Sequence, residues 1–167
     1  LTLFGEINQD VARRMAEKLL ALAFESDDPI ALYIGSPGGH VESGDTIFDL
    51  IRYIKPEVRI IGTGWVGSIA THIYLAADKD NRFALPNTRF LIHQPSGGFG
   101  GDAADIEIHA REILKTRERI NGIIAERTGQ SIDRVGEDTQ RDYWMSAEES
   151  VEYGLVGKII SDISEVG

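Results

Sequence analysis

Apolar residues follow two alternating patterns along the chain. In 11–22, 47–54 and 103–124 they recur every three or four positions, which predicts amphipathic helices. The runs at 30–35, 58–64 and 88–93 are densely apolar and rich in β-branched or aromatic residues, which indicates buried strands. The repeated alternation of strand and helix favours an α/β fold.

Local signals predict where these elements begin and end. Asp10 is expected to cap the first helix, and the second helix is expected to end before Pro56. Residues 68–77 predict a short buried helix. Ser146 and Glu149 form a capping-box pattern for a last helix that ends at Gly154, and 155–160 is predicted as a final strand.

The longest helical pattern runs from Asp102 to about Thr128, and Gly129 follows it in the position of a left-handed cap. A helix of about 25 residues is about 37 Å long, close to the full width of a domain of this size. Such a helix either projects and pairs with another subunit or lies wholly across its own domain. Its periodicity leaves both arrangements open.

Length and composition narrow the classes of function. The 167 residues fit a single domain over 1–167, because a chain of this length can bury a stable core. The formal charge of −10, with 17 basic residues scattered among 27 acidic ones, argues against a nucleic-acid partner. No apolar run approaches the roughly 20 residues that span a bilayer, so a soluble protein without a membrane partner is expected. Because cysteine is absent, there is no thiolate metal site, and any chemistry falls to hydroxyls, imidazoles and carboxylates.

Ser68 is the first candidate for chemistry, within GTGWVGSIATHIYLAA at 62–77. If Ser68 opens a helix, the free N–H groups of the first turn and the helix dipole favour an oxyanion there. The alternative is that Ser68 only caps the helix. The nucleophile elbow of α/β-hydrolases does not help to decide, because Ala70 stands where that motif requires glycine.

A nucleophilic serine needs a base and a group that orients the base. His93 is the best candidate for the base, because it ends a predicted strand. His40 could line the same cleft, His72 is more consistent with packing or a subunit contact, and His109 is expected to be solvated.

For the orienting carboxylate, Asp142 is flanked by Tyr143 and Trp144, which are expected to desolvate it partly. Asp138 is a rival in the same stretch. Spacing alone does not choose between the two.

Several motifs occur in the order found in one family, and together they cover nearly the whole chain. They are SPGG at 36–39, the glycine-led Ser68, LIHQP at 91–95, GGFGGDAADIEIHAREIL at 97–114, TGQS at 128–131 and RDYWMSAEESVEYGLV at 141–156. The chain resembles the Clp protease proteolytic subunit, ClpP.

The resemblance implies a role for each candidate. Ser68 is then the nucleophile, His93 the general base and acid, and Asp142 the carboxylate that holds the imidazole. The backbone N–H groups of Gly39 and Ile69 are implied to form an oxyanion hole. An extended peptide is expected to add as a strand along the segment formed by Gly97, Gly98, Phe99 and Gly100.

The resemblance also implies an architecture and partners. It implies a crotonase-like fold of stacked ββα units, with a handle made of a glycine-rich strand at 96–101 and the long helix. Two heptameric rings of the chain are expected to stack around a chamber in which unfolded proteins are cut to short peptides. An AAA+ unfoldase of the ClpX, ClpA or ClpC type would use ATP, and the subunit itself would need no cofactor. The expected location is the bacterial cytoplasm, with an organellar lumen as the alternative.

Some residues depart from the family pattern. Trp65 and Gly67 before the serine, and Thr71 and His72 after it, replace smaller or different residues. Gln140 stands beside Arg141 where an acid is usual, which weakens an expected ion pair between rings and favours single rings or mixed rings with a paralogue.

The leading hypothesis is therefore an ATP-dependent serine endopeptidase core. One alternative is a weakly active or inactive paralogue that serves as scaffold in a mixed ring. Another is a crotonase-type enzyme acting on acyl-CoA, in which the Ser68, His93 and Asp142 set has no role.

Overall fold

A computed structural model describes residues 1–98 and 100–167. In chain order its helices and strands are β1 (Thr2–Phe4), α1 (Gln9–Glu25), β2 (Ile30–Ser36), α2 (Val41–Tyr53), β3 (Val58–Gly67), α3 (Ile69–Tyr74), β4 (Arg82–Ala84), β5 (Arg89–Ile92), α4 (Ala103–Thr128), α5 (Ile132–Asp138), β6 (Tyr143–Met145), α6 (Ala147–Tyr153) and β7 (Lys158–Ile159). Short 3₁₀ turns lie at Lys79–Asn81 and Ile163–Val166. The predicted α/β alternation is confirmed.

The strands form one seven-stranded sheet that forks at β3. Parallel strands lie in the order β1-β2-β3-β4-β7. The first half of β3 pairs with β4 through Ile60–Gly62, and its second half pairs with β5 through Trp65–Gly67. The short strand β6 is antiparallel to β5. The fork matters for the site because it brings the carboxyl ends of β3 and β5 together.

The central strands are covered by helices. Leu32, Ile34 and Ile60 of β2 and β3 are fully buried. Helix α1 contributes Met15 and Leu19 to the same core. Burial of these aliphatic side chains is the main force that holds the layers together, at about 25 cal/mol per Å² of apolar surface.

Helix α4 is buried only in its C-terminal half. Its buried residues are Ile120, Asn121 and Ile124, whereas Ile106 and Ile108 near its start are exposed. The projecting arrangement is therefore the one that the chain adopts. Gly129 has a φ of 80°, which confirms the predicted left-handed cap.

Some predicted boundaries are wrong. Asn8, not Asp10, caps α1, because its side-chain oxygen accepts the Val11 N–H at 2.9 Å. Helix α3 ends at Tyr74 instead of residue 77, and the last strand is only Lys158–Ile159. The predicted capping box of Ser146 and Glu149 is confirmed.

The glycine-rich strand predicted at 96–101 is not formed by the described residues of that segment. A strand requires a neighbour to accept and donate its backbone hydrogen bonds. No described strand of this chain pairs with the segment. Within the described residues, no helix has the length and apolar character needed to cross a membrane.

Candidate active site

Strand register brings three distant residues together. Gly67 of β3 pairs with Leu91 of β5, so the residues that follow these parallel strands emerge side by side. The Ser68 N–H donates to the Leu91 carbonyl at 3.0 Å. Because β6 runs antiparallel to β5, with Ile92 opposite Tyr143, Asp142 lies just before β6 and beside His93.

Ser68 has an unusual backbone conformation. Its φ of 55° makes it the one non-glycine residue with positive φ among the described residues. It occupies the N-cap position of α3, yet its side chain makes no capping hydrogen bond. A strained residue that is not used as a cap is consistent with a functional role for its hydroxyl.

The Ser68 hydroxyl is bonded to an imidazole instead. Its Oγ lies 2.8 Å from His93 Nε2, and His93 Nδ1 lies 3.0 Å from Asp142 Oδ1. With a proton on Nδ1 facing the carboxylate, Nε2 is free to accept the serine proton. The arrangement can therefore activate Ser68 as a nucleophile.

The expected desolvation of Asp142 is wrong. Its side chain is 65% exposed, whereas that of His93 is 28% exposed. The neighbouring Trp144 instead stacks on Trp65, with ring centroids 5.7 Å apart, and Arg89 lies over the Trp144 ring. The two tryptophans cover each other and leave the carboxylate open to solvent.

The SPGG turn lies directly against the start of α3. A Cβ on Gly38 would stand 2.8 Å from Ser68 Cβ and 3.1 Å from the Ile69 nitrogen. Gly39 has a φ of 149°, a conformation that favours glycine. Neither the Gly39 nor the Ile69 N–H has a hydrogen-bond acceptor among the described residues. Unpaired backbone N–H groups are the kind of donor that an oxyanion hole requires.

A small, narrow pocket opens beside the Ser68 and His93 side chains. Aliphatic side chains dominate its lining: Val41, Ile69, Ile92, Ile120 and Ile124. Thr71 and His72 add polar atoms to the lining. Apolar walls with few polar groups are typical of ligand sites.

The predicted peptide-binding segment is described only in part. Gly97 lines a second groove together with Gly39 and Pro95. Gly98 and Gly100 have open space around them, since a Cβ at either would meet no atom within 4 Å. Phe99 lies outside the described residues.

The competing histidines and acid have other partners. His40 Nδ1 lies 2.8 Å from the Ser43 hydroxyl. His109 is half-buried on α4 and does not join the Ser68 group. Asp138 accepts from Arg134 and from the Tyr153 hydroxyl, which ties it to the packing of α5 and α6.

His72 is buried, as expected, but not among apolar groups alone. Its ring stacks on Phe48 at 4.3 Å, and its Nε2 lies 3.2 Å from Asp45 Oδ1. Arg119 of α4 donates two hydrogen bonds, of 2.8 and 2.7 Å, to the same carboxylate. Burial raises the pKa of Asp45, but contacts from His72 and Arg119 outweigh it and lower that pKa to about 2.

Comparison with known proteins places the fold and these motifs in one family. The sequence profile of the Clp protease family matches residues 1–162. The chain belongs to the Clp protease family. It is 56% identical to the ATP-dependent Clp protease proteolytic subunit 3 of Rhizobium meliloti, over 98% of the chain and 84% of that protein. It is 54% identical to the ATP-dependent Clp protease proteolytic subunit 2 of Pseudomonas aeruginosa, over 97% of the chain and 81% of that protein.

Solved Clp protease structures share the architecture. ClpP1 from Listeria monocytogenes matches with a TM-score of 0.92 and 49% identity, covering 100% of the chain and 94% of that structure. A point mutant of the same protein matches with a TM-score of 0.95 and 51% identity, with the same coverage. The predicted family and the ClpP-like fold are confirmed.

Two departures of this Clp protease chain from the family pattern now have physical explanations. Trp65 pairs with the aromatic ring of Trp144, as described above. The Thr71 Oγ1 lies 3.0 Å from both the Val66 and the Leu91 carbonyls, so it joins β3 to β5 under the serine. Sequence reasoning missed the contact of Asp45 with His72 and Arg119, because nothing in the spacing of those residues indicates it.

Proposed function

We propose that this chain is a serine endopeptidase that forms the proteolytic core of an ATP-dependent Clp protease. The observation that carries the proposal is the pair of hydrogen bonds that links Ser68 Oγ to His93 and His93 to Asp142. The crotonase-type alternative is set aside, because it gives these three side chains no role.

The mechanism follows from the roles of these groups. Ser68 Oγ attacks the scissile carbonyl while His93 Nε2 takes its proton, and the Gly39 and Ile69 N–H groups stabilise the oxyanion. His93 then gives the proton to the departing amine as the C–N bond breaks. Water, deprotonated by His93, hydrolyses the acyl-enzyme and restores Ser68.

The substrate is proposed to be an unfolded polypeptide. A peptide that adds as a strand along Gly97, Gly98, Phe99 and Gly100 is bound through its main chain, with little demand on its sequence. Selection then depends on entry, controlled by an AAA+ unfoldase of the ClpX, ClpA or ClpC type that uses ATP. The subunit itself is proposed to use no cofactor and to act in the bacterial cytoplasm.

The active assembly is proposed to be two stacked heptameric rings. The exposed apolar residues near the start of α4, Ile106 and Ile108, support a partner for the projecting half of that helix. The neutral Gln140 beside Arg141 supports, as a second candidate, a weakly active paralogue that serves as scaffold in a mixed ring.

Turnover of a fluorogenic peptide by purified protein tests the proposal. Ser68→Ala is expected to lower kcat by about 10⁴- to 10⁶-fold, as in other serine-protease triads. Ser161→Ala, at an exposed serine outside the site, is the matched control and should keep full activity. Equal turnover by Ser68→Ala contradicts the proposal, and turnover that begins only after a paralogue is added supports the mixed-ring candidate.

A further inference from the structure

The SPGG turn is bound on one side by the loop between β1 and α1. The Ile7 N–H of that loop donates to the Gly38 carbonyl at 2.8 Å. The Ile7 carbonyl accepts the His40 N–H, also at 2.8 Å, so Ile7 and Gly39 form a parallel β-bridge. Ile7 is only 1% exposed and belongs to the main core, so this partner of the turn is itself held in place.

A further hydrogen bond holds the same turn from within. The Oγ of the buried Ser36 accepts the Gly38 N–H at 3.1 Å. Gly38 therefore has both its N–H and its carbonyl engaged. The side of Gly38 that faces α3 is close-packed, since a Cβ there would lie 2.8 Å from the Gly67 carbonyl oxygen and from Ser68 Cβ. The turn is thus fixed between Ile7 and the start of α3.

These contacts determine the direction of the Gly39 N–H. The Gly38 carbonyl and the Gly39 N–H belong to one planar trans peptide unit, in which they point in opposite directions. Because the Gly38 carbonyl points at the Ile7 N–H, the Gly39 N–H points away from Ile7. Gly39 is exposed and borders the groove that Pro95 and Gly97 also line. The direction of this donor is therefore set by hydrogen bonds that it does not itself make.

We infer that Ser36 and Ile7 are positioning residues, which hold the Gly38–Gly39 peptide unit so that the Gly39 N–H meets the developing oxyanion. Ser36 acts through its hydroxyl, and Ile7 acts through its main chain. The inference rests on the proposed function, because it takes Ser68 as the nucleophile and Gly39 as an oxyanion donor. Loss of either contact should weaken stabilisation of the transition state more than it weakens binding of a peptide.

Ser36→Ala removes the hydroxyl that holds the Gly38 N–H and is the first test. The kcat for a fluorogenic peptide is expected to fall by about 10- to 100-fold, because a misplacement of about 1 Å can cost about 100-fold, while KM changes much less. Ser150→Ala is the matched control and should keep the wild-type kcat, because Ser150 is equally buried but bonds the Ser146 carbonyl within α6. An assembled Ser36→Ala protein with the kcat of Ser150→Ala would overturn the inference.

Inhibition by a peptide aldehyde separates positioning from a general loss of structure. Ser68 Oγ adds to the aldehyde carbon and leaves a tetrahedral oxygen in the proposed oxyanion hole, whereas the matched peptide alcohol has no carbonyl to attack. The inhibition constant of the aldehyde should rise in Ser36→Ala by about the factor by which kcat falls, and that of the alcohol should change much less. Equal increases for both compounds, or no increase for the aldehyde, overturn the inference.

His40→Pro tests the bond to Ile7 and serves if Ser36→Ala fails to assemble. The φ of −70° at His40 suits proline, which lacks the N–H that the Ile7 carbonyl accepts. His40→Ala loses the same side chain but keeps the N–H, so the ratio of the two kcat values reports on the main-chain bond. His40→Pro should be slower by about 10-fold or more, and equal kcat values overturn the inference. A failure of the proposed function is distinguishable, because it leaves the wild type without Ser68-dependent cleavage.

Discussion

Adding one methyl group at Gly39 tests the proposed oxyanion hole. Gly39 has a φ of 149°, and a Cβ there would lie 2.2 Å from the Ile7 carbonyl oxygen and 2.9 Å from the Ile7 nitrogen. Ile7 cannot move aside freely, because its N–H donates to the Gly38 carbonyl and its carbonyl accepts the His40 N–H, each at 2.8 Å. The backbone at Gly39 must therefore shift in Gly39→Ala and carry its N–H away from the reacting carbonyl.

The expected loss follows from removing one of two donors to the oxyanion. The loss of a single donor typically lowers kcat by about 10²- to 10³-fold, or about 2.7–4 kcal/mol of transition-state stabilisation. KM should change much less, because the donor acts on charge that develops after binding.

Gly5→Ala is the matched control for the strain that alanine introduces at positive φ. Gly5 has a φ of 79°, and a Cβ there would meet no atom within 4 Å. Both variants therefore place an alanine at positive φ, at a cost of about 1–3 kcal/mol, but only Gly39→Ala displaces the proposed donor. Peptide turnover, melting temperature and native mass should be measured on both. An assembled Gly39→Ala protein with kcat within threefold of Gly5→Ala would refute the reasoning.

Three other substitutions have defined outcomes. Asp142→Asn should lower kcat by about 10²- to 10⁴-fold, because an amide no longer selects the productive tautomer of His93. An unchanged kcat in steady-state peptide turnover would contradict this. Asp45 has a folded pKa of about 2, below its ordinary value of about 3.9, so its stabilising contribution is present above pH 4 and is lost as pH falls toward 2. The melting temperature of Asp45→Asn should therefore depend less on pH between pH 5 and 2 than that of the wild type. The same pH dependence in both proteins would count against the contact of Asp45 with His72 and Arg119. Thr71→Val should reduce the free energy of unfolding by about 1–3 kcal/mol in denaturant titrations, since it removes a buried hydroxyl that bonds the Val66 carbonyl and shares the Leu91 carbonyl with the Ser68 N–H. An unchanged free energy of unfolding would contradict this.

Local pattern predicted the elements of the fold better than their ends. The apolar runs and caps located the main strands and helices, including the left-handed cap at Gly129. Asn8 was missed as the cap of α1, because Asn8 and Asp10 are both good capping residues and only the position of the Val11 N–H distinguishes them. The segment 96–101 has the composition of an extended chain, but a strand also depends on a neighbour that sequence does not provide.

The site could be predicted only where a family pattern supplied long-range information. Residue spacing did not choose between Asp142 and Asp138, because the choice depends on the antiparallel register of β6 against β5. The resemblance to Clp proteases did select the set that lies within hydrogen-bonding distance. The contact between Asp45 and His72 was beyond both approaches, since it arises from packing of α2 against α3.

Covalent labelling with a fluorophosphonate, followed by peptide mapping, tests most directly whether the Ser68 hydroxyl is an activated nucleophile. We predict a single adduct on the peptide that contains Ser68, and its loss in His93→Ala, because the hydroxyl then has no base within reach. An adduct on a different serine, or peptide cleavage by an assembled protein whose Ser68 stays unlabelled, would contradict it.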